Sequence, residues 1–587
     1  MFGEIMPDLS KLLDLFDSIP AYGRFIETLG QKSAAGNTVV VLEAARAYLV
    51  AAIFGSLRVP ILVVTAQPEN ARKLQEQLAS WSGGQPLLFP EPDVLPYERL
   101  ASDSATEMER VRVLSVLSGV GVSNNGSGFP LVVASTAALM SRTPARHDFV
   151  AACHSVGLGM NKEPLRLLAE WESMGYRLEN IVEVPGTVSH RGGIIDIWPP
   201  TNDVPVRLEF FGDTVDNIRT FNPETQRSMD KRESLSVGPA SELLAPRRLD
   251  KLSLEGILHG LDLSGLTAEV KQQFEHDIEL FLNGQIPPDA QFYTPLFNSG
   301  GLLDYLPPGT LLVLDEPSSV EQTALALDSE AAQLRSGKME RGELPRRFPR
   351  PYFAWDELQP AIGSRPSLSL AAWGEGETLD FISAPTSAGR LPLFLKKTHE
   401  LLSQRKRVVI VSHQASRLSE LLNEEGIIAA PVETVTEVPG PGALVLLQGS
   451  LPEGFIMGGR TCLFTDAEIF GFIKQRRLLK RRPVPRQKLM IDIIPDDFVV
   501  HVEHGIGKFT GVTTLKAAGV EKEYLVLRYA AGDILYVPTD QIDRVSRYVG
   551  TGDRPPVLSR LGTQEWVRTR QKAKEAAELL ARDLLIL

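Results

Sequence analysis

The sequence predicts a multidomain α/β protein. Three observations carry that expectation: its length, a strand–helix alternation that begins near residue 38, and two stretches, 174–228 and 498–550, that change to short strands divided by turn residues. At 587 residues, with 43% hydrophobic and 23% charged residues, the chain is too long for one core and divides into about four domains of roughly 150 residues each. Its net charge of −12 excludes a bulk polyanion binder, so any nucleic-acid contact has to come from a local basic patch. The two cysteines, Cys153 and Cys462, are too few and too far apart for a disulfide framework or a zinc site, which implies a reducing compartment. No basic-then-apolar leader opens the chain, and its longest nearly uncharged apolar run, 47–57, is far short of the about 20 residues a membrane span needs. A monomeric cytoplasmic protein without a membrane partner is expected.

The alternation reads as strand 38–42, helix 44–57, strand 61–65 and a helix over 68–81 opened by Pro68, with further strands at 86–89 and 131–135 around a charged helix at 107–117. A βαβ series of this kind makes a parallel sheet. The loop after its first strand is where such a domain cradles a phosphate, using glycines for close approach and a lysine on the outer oxygens. Here that loop is Leu42-Glu43-Ala44-Ala45-Arg46-Ala47, with no glycine, no lysine and a carboxylate where an anion would sit. An inert copy of a nucleotide-binding domain is expected. Farther on, LLVLDEP (311–317) is an apolar strand that ends in Asp315 and Glu316, the place where a working motor holds Mg²⁺. Without a phosphate loop the expectation is a strand ending in a solvated acidic turn.

Residues 174–228 carry RGGIIDIWPP followed by VRLEFFGDTVDNIRTF. This pattern resembles the second domain of the excision-repair protein UvrB and the UvrB-like module of the transcription-repair coupling factors. The resemblance implies a docking surface for UvrA, with Arg191, Arg207 and Phe211 as the matching exposed residues. Two arginines and an aromatic also suit an interface hot spot. Phe210 and Phe211 are adjacent, so only one of them faces inward on a strand. Two departures from UvrB stand out: the missing phosphate loop, and a segment 97–106 (YERLASDSAT) too short for UvrB's damage-probing hairpin. Both point to the coupling-factor module, a recruiter rather than an ATPase.

A smaller α/β unit follows, with strands at 378–383, 408–412 and 443–447 and helices at 393–403 and 414–423, its role unread. The run KQRRLLKRRPVPRQK (474–488) reads as an extended linker, with Arg476, Arg477, Arg481 and Arg482 as candidate nucleic-acid contacts. Residues 498–502 alternate as a strand that stops at a His504-Gly505-Ile506-Gly507 turn; strands at 524–529 and 534–537 follow, and Pro538 closes the last. Short strands at this spacing predict a small barrel. The sequence resembles the RNA polymerase interaction domain shared by coupling factors and CarD-type regulators. That implies a grip on the polymerase β subunit through 524–529, with Tyr524, Leu525, Leu527 and Tyr529 as contact candidates. In the opposite phase Leu525 and Leu527 are core, and Val526 and Arg528 face the partner. After Pro556 a helical stripe runs to Leu587.

The expected divisions are therefore 1–150 with 240–345 as a degenerate RecA-like, UvrB-like domain, 151–239 as an inserted α+β UvrA-docking domain, 370–468 as a small α/β domain, 469–494 as a basic linker, 495–550 as an SH3/Tudor-like β-barrel and 556–587 as a linking helix. The resemblance implies transcription-coupled DNA repair by the amino-terminal part of an ATP-dependent DNA translocase. No cofactor is expected in this chain; ATP, Mg²⁺ and most DNA contact would belong to motor domains it lacks. The competing expectations are a UvrB-like ATPase or helicase, and a CarD-like transcription regulator.

Overall fold

The computed structural model describes residues 7–30, 36–100, 103–120, 129–244, 246, 249, 251–387, 389–471, 496–501, 504–517, 520–538, 545–548, 556–560 and 566. The first body is organised on a seven-stranded, all-parallel sheet. Its strands run in the order Glu377–Thr378, Asn37–Val40, Ser367–Ala371, Leu311–Asp315, Ile61–Thr65, Leu131–Ser135, Leu87–Phe89. Central strands of a parallel sheet are covered on both faces and so read as unbroken apolar runs. Ile61–Thr65 shows why: Leu62 and Val64 point into one core with helices Ser104–Leu117 and Pro317–Glu340, while Ile61 and Val63 point into another with helices Glu43–Leu57 and Pro68–Trp81. This sheet runs past residue 345, where the domain was expected to end, and the residues expected as one strand at 378–383 divide between two sheets. Ser367–Ala371 (SLSLA) lies at the sheet interior, yet its alternation of serine and leucine carries no continuous apolar signal.

Between His154–Gly157 and Ser234–Val237, which pair antiparallel as entry and exit, the chain makes an insertion. It is a six-stranded sheet in the order Ser228–Lys231, Thr214–Phe221, Val206–Phe211, Ile194–Trp198, Thr187–Arg191, Arg177–Leu178, antiparallel except for the last pair. Its inner face (Val188, Ile195, Ile197, Val206, Leu208, Val215, Ile218) is continuous with the first of the two cores.

The third sheet has six strands ordered Phe381–Ser383, Phe455–Met457, Thr461–Thr465, Arg407–Ser412, Leu444–Gln448, Pro431–Val432. In Arg407–Ser412, Val408 and Ile410 pack under helices Leu391–Ser403 and Ala415–Glu424, whereas Val409 and Val411 join the core around helix Glu43–Leu57. An aromatic chain seals that junction: Tyr48 lies 4.6 Å from both Phe16 and Trp81 and 5.4 Å from Phe455, centroid to centroid. The small α/β unit therefore shares a core with the first body.

The fourth sheet is antiparallel, in the order Ile534–Pro538, Val520–Arg528, Gly505–Ala517, Phe498–His501, Val545–Arg547. Residues 504–507, expected as a turn, instead start a 13-residue strand at Gly505. Gly505 has φ of 82°, and a Cβ there would meet Ser559 Oγ at 2.3 Å and Trp566 at 2.9 Å. The chain after the barrel folds back on this point: Ser559 N donates to Ile506 O (2.8 Å) and Ala530 N to Ser559 O (3.0 Å). Residues 556–560 are thus not helical; the remainder of the expected linking helix, Trp566 apart, and the basic run with Arg476, Arg477, Arg481 and Arg482 lie outside the described residues. Among the described residues no helix is long and apolar enough to cross a membrane.

Candidate docking surfaces and a plugged nucleotide crevice

At the carboxyl ends of the parallel strands, where a nucleotide would bind in this architecture, a side chain of the protein fills the anion position's neighbourhood. Arg46, in the first turn of helix Glu43–Leu57, is 5% exposed and reaches across the sheet to the end of Leu311–Asp315. Its Nη1 donates to Asp315 Oδ1 at 2.6 Å, and its Nη2 donates to Glu316 Oε1. Glu316 adopts φ of 55°, and its Oε1 also accepts from Ala372 N (2.9 Å), tying in the neighbouring strand's exit. The acidic turn is therefore not free in solvent, contrary to expectation: Arg46 pairs with both carboxylates, and their side chains are only 14% (Asp315) and 34% (Glu316) exposed. Burial pushes the Asp315 carboxyl above the usual carboxylate range, and the Arg46 guanidinium pulls it back. Beside this plug a cavity of about 440 Å³ is lined by Val40, Val41, Leu42, Ala372, Thr378, Leu379, Asp380 and Phe381. Its one charged residue is a carboxylate, so the cavity does not fit a phosphate group.

In the inserted sheet, two of the three candidate residues converge on a buried acid. Asp196 is fully buried; Arg207 meets it with two bonds, Nε to Oδ1 at 2.7 Å and Nη2 to Oδ2 at 2.9 Å, and Arg191 Nη2 reaches the same Oδ2 at 2.9 Å. Arg207 is itself 3% exposed, with its guanidinium 4.8 Å from the Phe221 ring centroid. This corrects the expectation of an exposed Arg207: it is the cross-strand partner of Asp196, its guanidinium lies against the Phe221 ring and donates to Gln226 O, and the bidentate fork satisfies the buried carboxylate. Arg191 remains half-buried at the sheet margin, paired opposite Ile194. Phe211 is 84% exposed, while Phe210 packs against the core, because a register shift at Glu209/Phe210 leaves Phe211 at the tip of the hairpin. Asp196 was legible as a candidate: an acid flanked by Ile195 and Ile197 in a strand needs an internal cation.

In the fourth sheet the phase is opposite to the preferred one. Leu525 (4% exposed), Leu527 (fully buried) and Tyr529 (1%) form its core with Phe509, Val537 and Val545. Leu527 sits opposite both Phe509 and Leu535, so the small core closes on exactly the leucines chosen for contact. Strand pairing with a partner through 524–529 is also blocked, since Val520–Arg528 is hydrogen-bonded on both sides; Ile534–Pro538 is the edge. The outward face carries Tyr524 and Val526, both half-buried, exposed Arg528, and on the edge strand Ile534 and Tyr536 at 46% and 45% exposure.

Residues 155–243, the inserted sheet, match the UvrB interaction domain, and residues 493–549, the fourth sheet, match the CarD-like/TRCF RID domain. The chain is 30% identical over 566 residues to the transcription-repair-coupling factor of Bacillus subtilis (strain 168), covering 92% of this chain and 47% of that protein. It is homologous to the transcription-repair-coupling factors. Two more of these factors show the same span: that of Myxococcus xanthus is 28% identical (92% of this chain, 48% of the relative), and that of Staphylococcus aureus (strain MRSA252) is 25% identical (95% and 49%). The chain thus spans about half the length of the coupling factors it matches. Both coupling-factor-type domains coincide with sheets whose outer faces present exposed apolar side chains, Phe211 on one and Ile534 and Tyr536 on the other.

Proposed function

We propose that this chain recruits rather than drives: it holds RNA polymerase, through the β subunit, with the fourth sheet and presents the inserted sheet to UvrA in transcription-coupled repair. The observation that carries the reading is the presence of both matched domains on one polypeptide whose own nucleotide crevice is occupied by the Arg46–Asp315–Glu316 cluster. Large exposed aromatics at a sheet tip are the residue type that anchors interfaces, which favours Phe211 as the UvrA anchor with Arg191 beside it. For polymerase the outward set Val526, Arg528, Ile534 and Tyr536 takes the role first given to the leucines. DNA translocation belongs to motor domains outside this chain.

Capture experiments on the purified chain test both halves. Phe211→Ala should lose UvrA while keeping polymerase, and Tyr536→Ala with Val526→Glu should lose polymerase while keeping UvrA. Equal capture of UvrA by wild type and Phe211→Ala would remove the docking assignment. Arg207→Glu is unsuitable here, because it destroys the buried pair with Asp196.

A further inference from the structure

The third body, to which no role attaches, has one end where positive charge is left unbalanced. Helix Leu391–Ser403 ends there, Arg405 turns the chain with φ of 57°, and Lys406 and Arg407 lead into the strand Arg407–Ser412. The neighbouring strand enters at the same level: Arg407 N donates to Arg460 O (2.8 Å), and Arg407 pairs with Thr461. Lys397 lies on helix Leu391–Ser403, and Lys406 directly precedes the strand start at Arg407. Arg405 and Arg460 are exposed, and Lys397, Lys406 and Arg407 are half-buried. Arg407 spends its Nε on Pro439 O (2.6 Å); among the described residues no carboxylate pairs with Lys397, Arg405, Lys406 or Arg460. Glu400 on the same helix and Asp380 border the cluster without bridging it. Just before Arg460 the turn Gly458–Gly459, which joins Phe455–Met457 to Thr461–Thr465 and has φ of 57° and 60°, leaves open space where side chains would stand.

A cationic residue at a helix carboxyl terminus complements its dipole, and that accounts for Arg405 and Lys406. It does not account for Lys397, about two turns before Arg405, or for Arg460, on another element. In a molecule of net charge −12, four cations without a carboxylate partner among the described residues at one end of this body are a local exception. We propose that this end of the third body binds the phosphate backbone of duplex nucleic acid. Lysine and arginine position a protein on phosphates without reading sequence. None of the residues that form the patch is aromatic, so it has no platform for stacking unpaired bases, and a duplex is the form it suits. The glycine turn lets the backbone of the duplex come close to Arg460. This site is independent of the polymerase and UvrA assignments.

The test is fluorescence anisotropy of a labelled duplex of about 30 base pairs with the full chain, at salt between about 50 and 200 mM. The wild type should bind with a steep salt dependence. The triple change Lys397→Gln, Lys406→Gln, Arg460→Gln should flatten the log–log slope by about 0.9 for each lost contact, about 2.7 in all. The same drop should appear in a background where Arg476, Arg477, Arg481 and Arg482 are glutamine, which separates this patch from the basic run. If the triple variant melts lower than wild type, Arg405→Gln with Arg460→Gln, both exposed, carries the test with a drop of about 1.8. An unchanged slope in both backgrounds overturns the proposal. So does a polyglutamate peptide that binds through these residues when the duplex does not.

Discussion

Removing Arg46 probes a physical claim behind the proposed recruiting role, that the crevice at the carboxyl ends of the parallel strands is held shut by the protein's own charges. Arg46→Ala strips the partner from Asp315, whose side chain is 14% exposed, and from Glu316, at 34%. Breaking a buried ion pair from one side costs about 3–5 kcal/mol because the remaining charge is stranded. The Glu316 contact is wet enough to add little, which puts the expected loss near the lower end, about 3 kcal/mol. Hydrogen exchange of strand Leu311–Asp315 and helix Glu43–Leu57 measures that loss locally, without assuming that a multidomain chain unfolds in two states. The pH dependence has a definite sign. Burial already raises the Asp315 carboxyl, so the folded state takes up its proton first and stability due to this group falls as pH rises through the carboxylate range. Without Arg46 the carboxyl rises further, so the penalty is large at neutral pH and shrinks toward acid pH, where Asp315 is protonated in both proteins. Arg46→Met combined with Asp315→Asn should recover much of the loss, because the more deeply buried charge is removed with its partner and the carboxylate left, Glu316, is 34% exposed at its side chain. A pH-independent loss, or a double variant as unstable as Arg46→Ala, would refute the reasoning.

The remaining expectations concern the docking sheets. Leu527→Asp should unfold the fourth sheet, since a fully buried leucine is replaced by an unpaired charge, whereas Val526→Glu should leave its circular dichroism and melting unchanged while abolishing polymerase capture. Arg207→Ala should cost about 3 kcal/mol by leaving buried Asp196 with the half-buried Arg191 as its one remaining cation, while Phe211→Ala at 84% exposure should shift stability by no more than about 0.5 kcal/mol; thermal melts of the two variants make the comparison. Gly505→Ala should expel residues 556–560 from the barrel, because φ of 82° and a 2.3 Å approach to Ser559 Oγ leave no room for a methyl group. Limited proteolysis should then cut near Ser559 in the variant and spare the wild type.

How much of this was legible in the sequence depended on the range of the interaction that decides it. The strands Ile61–Thr65, Leu131–Ser135 and Leu311–Asp315 were readable because each is a local apolar run of strand length, and helix Pro68–Trp81 because Pro68 opens it. The missing phosphate loop was readable because glycine and lysine are either in that loop or not. The motifs at 191–221 and 498–550 were enough to locate both matched domains, since each is a contiguous stretch whose turn residues and alternation are local. What the sequence could not supply were facts that join distant positions. Arg46 and Asp315 are 269 residues apart, and only the parallel register of the sheet brings the helix start to the strand end. Asp196 meets Arg207 because antiparallel pairing puts them opposite one another, both buried. Alternation named two faces for Leu525 and Leu527 and was symmetric between them; the core, drawn from Val499, Phe509, Val537 and Val545, broke that symmetry. The placement of Ser367–Ala371 inside the first sheet, and the core that the third sheet shares with helix Glu43–Leu57, likewise follow from burial against residues hundreds of positions away, a property that no local pattern carries.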